Sequence, residues 1–140
     1  MTHVPVIDQS LEKANAWVAE VADEMKSDDP REAYRVLRAF LHALRDRLTV
    51  DEAAQLAAQL PTLIRGVYYE GWVPSRTPSR ERHVDEFLDR IAGEALLAGE
   101  TEASYAATAA SRVLHKHVSA GELEDVLAVL PVELRPIAAA

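Results

Sequence analysis

The sequence predicts an all-α protein, a helical bundle of two tandem repeats of about four helices each, the second offset from the first by about 70 residues. Three observations predict it. Apolar residues recur at steps of three and four along most of the chain, the spacing of one helix face. Only 5 glycines and 7 prolines occur, and they cluster where one helix would give way to the next. Cap, core and breaker residues of the first half recur in the second half in one frame.

A first helix is read from Leu11, Ala14, Val18, Val21 and Met25, with Trp17 beside them, and residues 1–9 form an arm ahead of it. Ser27-Asp28-Asp29-Pro30 ends this helix and opens the second. Asp29 suits a cap, Pro30 the first helical position, and Glu32 reaches back as in a capping box. Ala33, Leu37, Phe40, Leu44 and Leu48 form the buried stripe of the second helix, flanked by Tyr34 and Leu41. Thr49 and Glu52 make another capping box, so a third helix starts near Val50 and carries Ala53, Leu56, Ala57 and Leu60. Pro61 lacks the amide proton that a helix interior needs, so this helix stops there and a short fourth runs from Thr62 to Tyr69. Gly71 suits the left-handed residue that closes it.

Val73 to Ser79 holds two prolines, two serines and a threonine and reads as a connector. Helical spacing resumes with Val84, Phe87, Leu88, Ile91 and Leu96 and stops near Gly99. Ala103 to Val118 forms another helix. Ser119 and Glu122 form a capping box for the next, carrying Leu123, Val126, Leu127 and Leu130. Pro131 breaks the pattern, and the tail from Pro136 to Ala140 is expected to fray. The organisation is therefore an arm at 1–9, a first unit at 10–72, a connector at 73–79 and a second unit at 80–140, together one compact domain.

Trp17, Val21 and Ala22 fall on Phe87, Ile91 and Ala92 with a shift of 70 positions. Leu44, Leu48, Thr49 and Glu52 fall on Leu114, Val118, Ser119 and Glu122 with the same shift, and so do Leu60-Pro61 and Ile64-Arg65 on Leu130-Pro131 and Leu134-Arg135. One such unit buries too little surface to be comfortable alone, and two that share a core relieve this. The run from Ala33 to Leu48, the run from Asp51 to Pro61 and above all Leu63-Ile64-Arg65-Gly66-Val67-Tyr68-Tyr69-Glu70-Gly71-Trp72 resemble the bacterial family known as domain of unknown function 2267. The resemblance covers nearly the whole chain, although the second half has no counterpart of Tyr-Tyr-Glu-Gly-Trp. It implies an all-helical bacterial protein and no particular activity.

The composition excludes several classes. With 49% hydrophobic residues the chain can build a core, and with no cysteine it has neither disulfides nor thiolate metal sites. A net charge of −8 disfavours sequence-independent nucleic-acid binding, which needs a basic surface. No apolar run is long enough to span a bilayer, so no membrane partner is expected. The first nine residues lack the pattern of a secretory signal, so a cytoplasmic location is expected.

Two groups of residues are candidates for function. Arg31, Arg35, Arg38, His42 and Arg45 are spaced four, three, four and three, which places them along one face of the second helix. Such a row can grip phosphates or carboxylates, or it can be a solvated face paired with Glu20, Asp23, Glu24, Asp28 and Asp29. Cations around His42 would disfavour its protonation. The second group lies at the joint: Tyr68, Tyr69, Glu70, Trp72, Arg76, Arg80, Arg82 and His83 concentrate aromatics and positive charge. They suit a contact with a protein partner or a second copy, or the aromatics plug the seam between the units. His115 and His117 point to different helix faces, and His83 with Glu86 supplies two ligands where a metal needs more, so no metal site is read. Glu122, Glu124 and Asp125 read as a solvated acidic face. Neither a phosphate loop nor a hydrolase or metalloprotease motif occurs, so no catalytic residue or cofactor is assigned. The expectation is a non-enzymatic protein-interaction module, with an anionic-ligand sensor using the arginine row as the alternative.

Overall fold

The computed structural model describes residues 2–139, and those residues form eight α-helices and no strand. They are α1 (Pro5–Met25), α2 (Pro30–Asp46), α3 (Val50–Ala58), α4 (Thr62–Tyr69), α5 (Val84–Ala95), α6 (Glu100–His117), α7 (Ala120–Val129) and α8 (Arg135–Ala138), with 3-10 turns at Pro74–Arg76 and Val132–Leu134.

Local chemistry accounts for most boundaries. The Asp29 side chain accepts from the Arg31 amide at 3.0 Å, and Pro30 follows at the first helical position. Thr49 and Ser119 accept from the amides of Glu52 and Glu122, each at 3.2 Å. The reciprocal halves of those capping boxes do not form: the Ser119 amide turns to Gln59 Oε1 at 2.9 Å, and the Glu122 carboxyl meets Glu52. Two helices end on non-glycine residues in the left-handed region, α1 on Lys26 at φ 55 and α5 on Leu96 at φ 61. In both, the next amide returns to a carbonyl inside the helix, Ser27 to Ala22 at 2.9 Å and Leu97 to Ala92 at 2.8 Å.

α2 is the axis of the molecule. It packs against α1, α4, α5 and α6, so its residues from Val36 to Arg45, Arg38 excepted, are all buried. Leu37, Phe40, Leu41 and Leu44 are at most 1% exposed, and burying each contributes about 1.5–3 kcal/mol. α6 lies along α1, α2 and α5 with an inner face of Ala103, Ala106, Ala107 and Ala110, whose small side chains permit close approach. α3 packs on α7, and α8 packs on α6.

Three expectations are corrected. α1 begins at Pro5, inside the segment read as an arm, and its first turns stand clear of the core: Val6, Ile7 and Leu11 are 64%, 58% and 50% exposed, so Leu11 is not a core residue. α5 stops at Ala95, and Leu96 is 75% exposed, because five positions separate it from Ile91 and take it off the apolar face that Ala95 continues. The tail does not fray through Ala139: Ile137 and Ala138 are buried, and the Ala138 carbonyl accepts from Ser111 Oγ at 2.9 Å and His115 Nε2 at 2.8 Å. Ala140 lies outside the described residues.

Candidate functional site

A helix enclosed on all sides is usually apolar all round. α2 instead carries Arg35, Arg38, His42 and Arg45 into its packed flank, where each buried charge needs a partner. Arg35 Nε donates to the carbonyl of Ala95, the last residue of α5, at 3.2 Å. Arg38 reaches Glu94 Oε1 at 3.0 Å through Nη1 and Glu70 Oε2 at 3.1 Å through Nη2. His42 lies between Glu94 Oε1 and the Val67 carbonyl, each 2.7 Å from a ring nitrogen. Arg45 Nη1 donates to the carbonyls of Tyr68 at 2.7 Å and Glu70 at 2.8 Å, and its Nε to Asp46 Oδ1 at 2.8 Å. Asp46 also accepts from Arg90 of α5. The row therefore closes the free carbonyls at the C-terminal ends of α4 and α5, where cations are favoured.

The electrostatics follow from these partners. Burial pushes the Glu94 carboxyl up, but the hydrogen bond and charge of His42, with Arg38 and Arg90, outweigh it and hold Glu94 below the ordinary carboxylate range. Burial likewise opposes, and Arg45 and Arg90 overcome, in keeping Asp46 low. The nearest charged group to His42 is the Glu94 carboxylate rather than a neighbouring cation. Glu20, Glu24 and Asp29 serve other groups: His117 for the first, Arg112 and Lys116 for the second, and the α2 cap for the third. Arg31 is exposed and takes no part in the network.

The joint divides into a packed half and an open half. Tyr68 is fully buried and donates its hydroxyl to the Ala53 carbonyl at 2.9 Å, and burial pushes its phenol far up. Tyr69 lies between Tyr68 and Trp72, with ring centroids 5.4 and 5.3 Å away, and Trp72 Nε1 donates to Thr77 Oγ1 at 3.1 Å. Glu70 is committed to Arg38. Beyond Trp72 the connector is open. Arg76, Arg80 and Arg82 are exposed, and among the described residues none of them enters an ion pair. His83 lies 3.3 Å from Glu133, whose carboxylate also accepts from the Val84 amide at the start of α5.

The connector is held in place. The Ser79 amide donates to the Asp46 carbonyl at 2.6 Å, and Arg47 Nη1 to Ser79 Oγ at 3.3 Å. The Thr77-Pro78 peptide is cis. An open pocket of 510 Å³ lies along the loop, lined by Ser75, Arg76, Thr77, Pro78, Ser79 and Arg80. A groove of 550 Å³ runs along α6 beside Ser104, Tyr105 and Thr108, and its arginine, Arg112, faces Glu24 at 3.6 Å.

Three groups escaped the sequence reading. Arg47 is 6% exposed, with Nε buried and unpartnered. Glu94 is the hub of the α2 row, and nothing in its local sequence marks it. Glu52 and Glu122 are each 8% exposed and face one another between α3 and α7, which corrects the reading of Glu122 as part of a solvated face. Their matching positions in the two halves were the available signal. Among the described residues no three His, Asp or Glu side chains come together as a metal site would require.

No curated protein matches the chain closely enough to stand as a relative. Residues 14–137, the span that holds the helical core, the α2 row and the connector, match the model of a family described as an uncharacterized conserved protein, and the chain belongs to that family, DUF2267.

Proposed function

We propose that this chain is a non-enzymatic protein-interaction module, built from two copies of one helical unit, whose contact surface is the arginine-rich connector between them. The observation that carries the reading is the exposure of Arg76, Arg80 and Arg82 without acidic partners, on a loop tethered to the body through Ser79, in a protein of net charge −8. Cations left unpaired among so many acids suit an acidic segment of a partner protein, and charge complementarity would steer the encounter. The alternative, an anion held by the α2 row, draws no support from Arg38, His42 and Arg45, whose donors already face Glu70, Glu94, Asp46 and helix-end carbonyls. The bacterial, cytoplasmic setting expected from the sequence is carried as part of this proposal.

The two-copy architecture is supported by pairs of residues seventy positions apart that perform the same task. Thr49 and Ser119 cap α3 and α7, and Lys26 and Leu96 end α1 and α5 in the left-handed region. Arg45 donates to the Tyr68 carbonyl as His115 does to that of Ala138.

The test is a titration of isotope-labelled protein with an oligo-glutamate peptide at low salt. Amide shifts should concentrate in residues 73–83, fade as salt is raised, and vanish in the Arg76→Ser/Arg80→Ser/Arg82→Ser variant. A peptide that binds equally well to that variant would overturn the reading.

A further inference from the structure

Arg47, the residue that closes α2, is buried beside the connector. It is 6% exposed, yet among the described residues no carboxylate lies within ion-pair distance of it, and its Nε is buried without an acceptor there. A buried guanidinium in that condition is costly, and the cost is expected to be relieved by an anion. The charge it feels most is that of Glu81, opposed by Arg82, with Glu86 contributing less. Burial, the largest influence, pushes the Arg47 guanidinium down.

What Arg47 touches is Ser79, at 3.3 Å, and Ser79 lines the 510 Å³ pocket of the connector together with Arg76 and Arg80. The Ser79 hydroxyl in turn donates to Glu81 Oε2. The pocket thus gathers Arg76 and Arg80 with Ser75, Thr77 and Ser79; Arg47 does not line it but joins it through Ser79, whose hydroxyl is shared with Glu81. A set of forked donors and hydroxyls is the chemistry that grips a tetrahedral oxyanion.

We infer that the connector pocket is a site for a phosphate group, held by Arg76, Arg80 and Ser79 with Arg47 behind Ser79 as the counter-charge, and that the Glu81 carboxylate competes for the Ser79 hydroxyl. The inference rests on the connector being the contact surface proposed above, and it names the group that the surface recognises. Free phosphate and a phosphate monoester present the same three oxygens, so either source satisfies it.

The experiment uses the full chain, titrated with inorganic phosphate and separately with O-phosphoserine, against sodium chloride at matched ionic strength, and followed by the amide resonances of residues 75–82. Saturable shifts there support the site, and a response to both probes assigns it to esters as well as the free ion. Arg80→Ser should weaken binding by about tenfold or more, the usual loss for one charge-assisted contact. Glu81→Gln should strengthen it. Arg76→Ser and Arg80→Ser change exposed side chains without partners among the described residues, so lost binding in them reports on the site and not on the fold. Shifts no larger than those from chloride, or binding indifferent to both Arg80→Ser and Glu81→Gln, would overturn the inference. If phosphate is inert while oligo-glutamate still binds through the connector, only the phosphate site falls. If neither binds, the contact-surface reading falls with it.

Discussion

Glu122 meets Glu52 across the contact between α3 and α7, each carboxyl at the third position of its helix and each 8% exposed. Burial first, then the hydrogen bond and charge of Glu52 and the charge of Asp125, push Glu122 up to about 8 from an ordinary 4.5. A group raised on folding binds its proton more tightly in the native state. Its contribution to stability is full below 4.5 and is lost as pH rises to about 8. Asp46 and Glu94, both held low, act in the opposite sense, contributing above their ordinary values and losing that contribution as pH falls. Urea unfolding should therefore show falling stability between pH 5 and pH 8. Glu122→Gln should flatten that slope and add on the order of 1 kcal/mol at the upper end. A slope unchanged in the variant would refute the assignment.

The His42–Glu94 pair should be the most sensitive polar contact in the protein. His42 is 3% exposed, and removing Glu94 leaves its Nδ1, together with Arg38 Nη1, without that acceptor, while Nε2 keeps the Val67 carbonyl. Glu94→Ala is expected to cost about 1–3 kcal/mol, the penalty for leaving buried donors without their acceptor. A double-mutant cycle with His42→Ala should recover a coupling of 0.5–3 kcal/mol or so between the two positions. Additive losses would show that the two side chains do not act on each other.

Leu96 is in the left-handed region with 75% of its surface exposed, so it bears backbone strain and gains little from burial. Leu96→Gly should relieve that strain, and because glycine also loosens the unfolded chain, the net gain is expected near 0.5–1 kcal/mol, about. Lys26→Gly should act in the same direction. Thermal unfolding of each variant checks this, and a lowered midpoint in both would contradict it.

The C-terminal segment should matter more than its length implies. Ile137 is 8% exposed, and the Ala138 carbonyl receives Ser111 and His115. Deleting residues 136–140 should lower stability by roughly 2–4 kcal/mol, from lost burial and two donors left without that acceptor. Calorimetry on the shortened chain decides the point.

Legibility followed distance along the chain. The α2 cap at Asp29, the caps at Thr49 and Ser119 and the bounds of α4 from Thr62 to Tyr69 all arise from residues within one turn of each other, and the sequence alone was sufficient to place them, whereas α3 ends at Ala58, ahead of the stop read at Pro61. The spacing of Arg35, Arg38, His42 and Arg45 was equally visible, but their surroundings were not. Their partners lie 60, 32, 52 and 23 positions away at Ala95, Glu70, Glu94 and Tyr68. Glu20 and Glu24, which were the obvious partners by proximity, turn to α6 instead.

The sequence by itself determined that the chain is helical, where most helices begin and end, and that cations concentrate on α2 and the connector, because propensity, capping and breaking act over a few residues. Only the tertiary structure decided which of those cations are consumed. Packing α1, α4, α5 and α6 around α2 turns its polar row inward, and desolvation then favours partners for its charges, which Arg35, Arg38, His42 and Arg45 find. The connector arginines are under no such pressure, and Arg76, Arg80 and Arg82 are left in solvent.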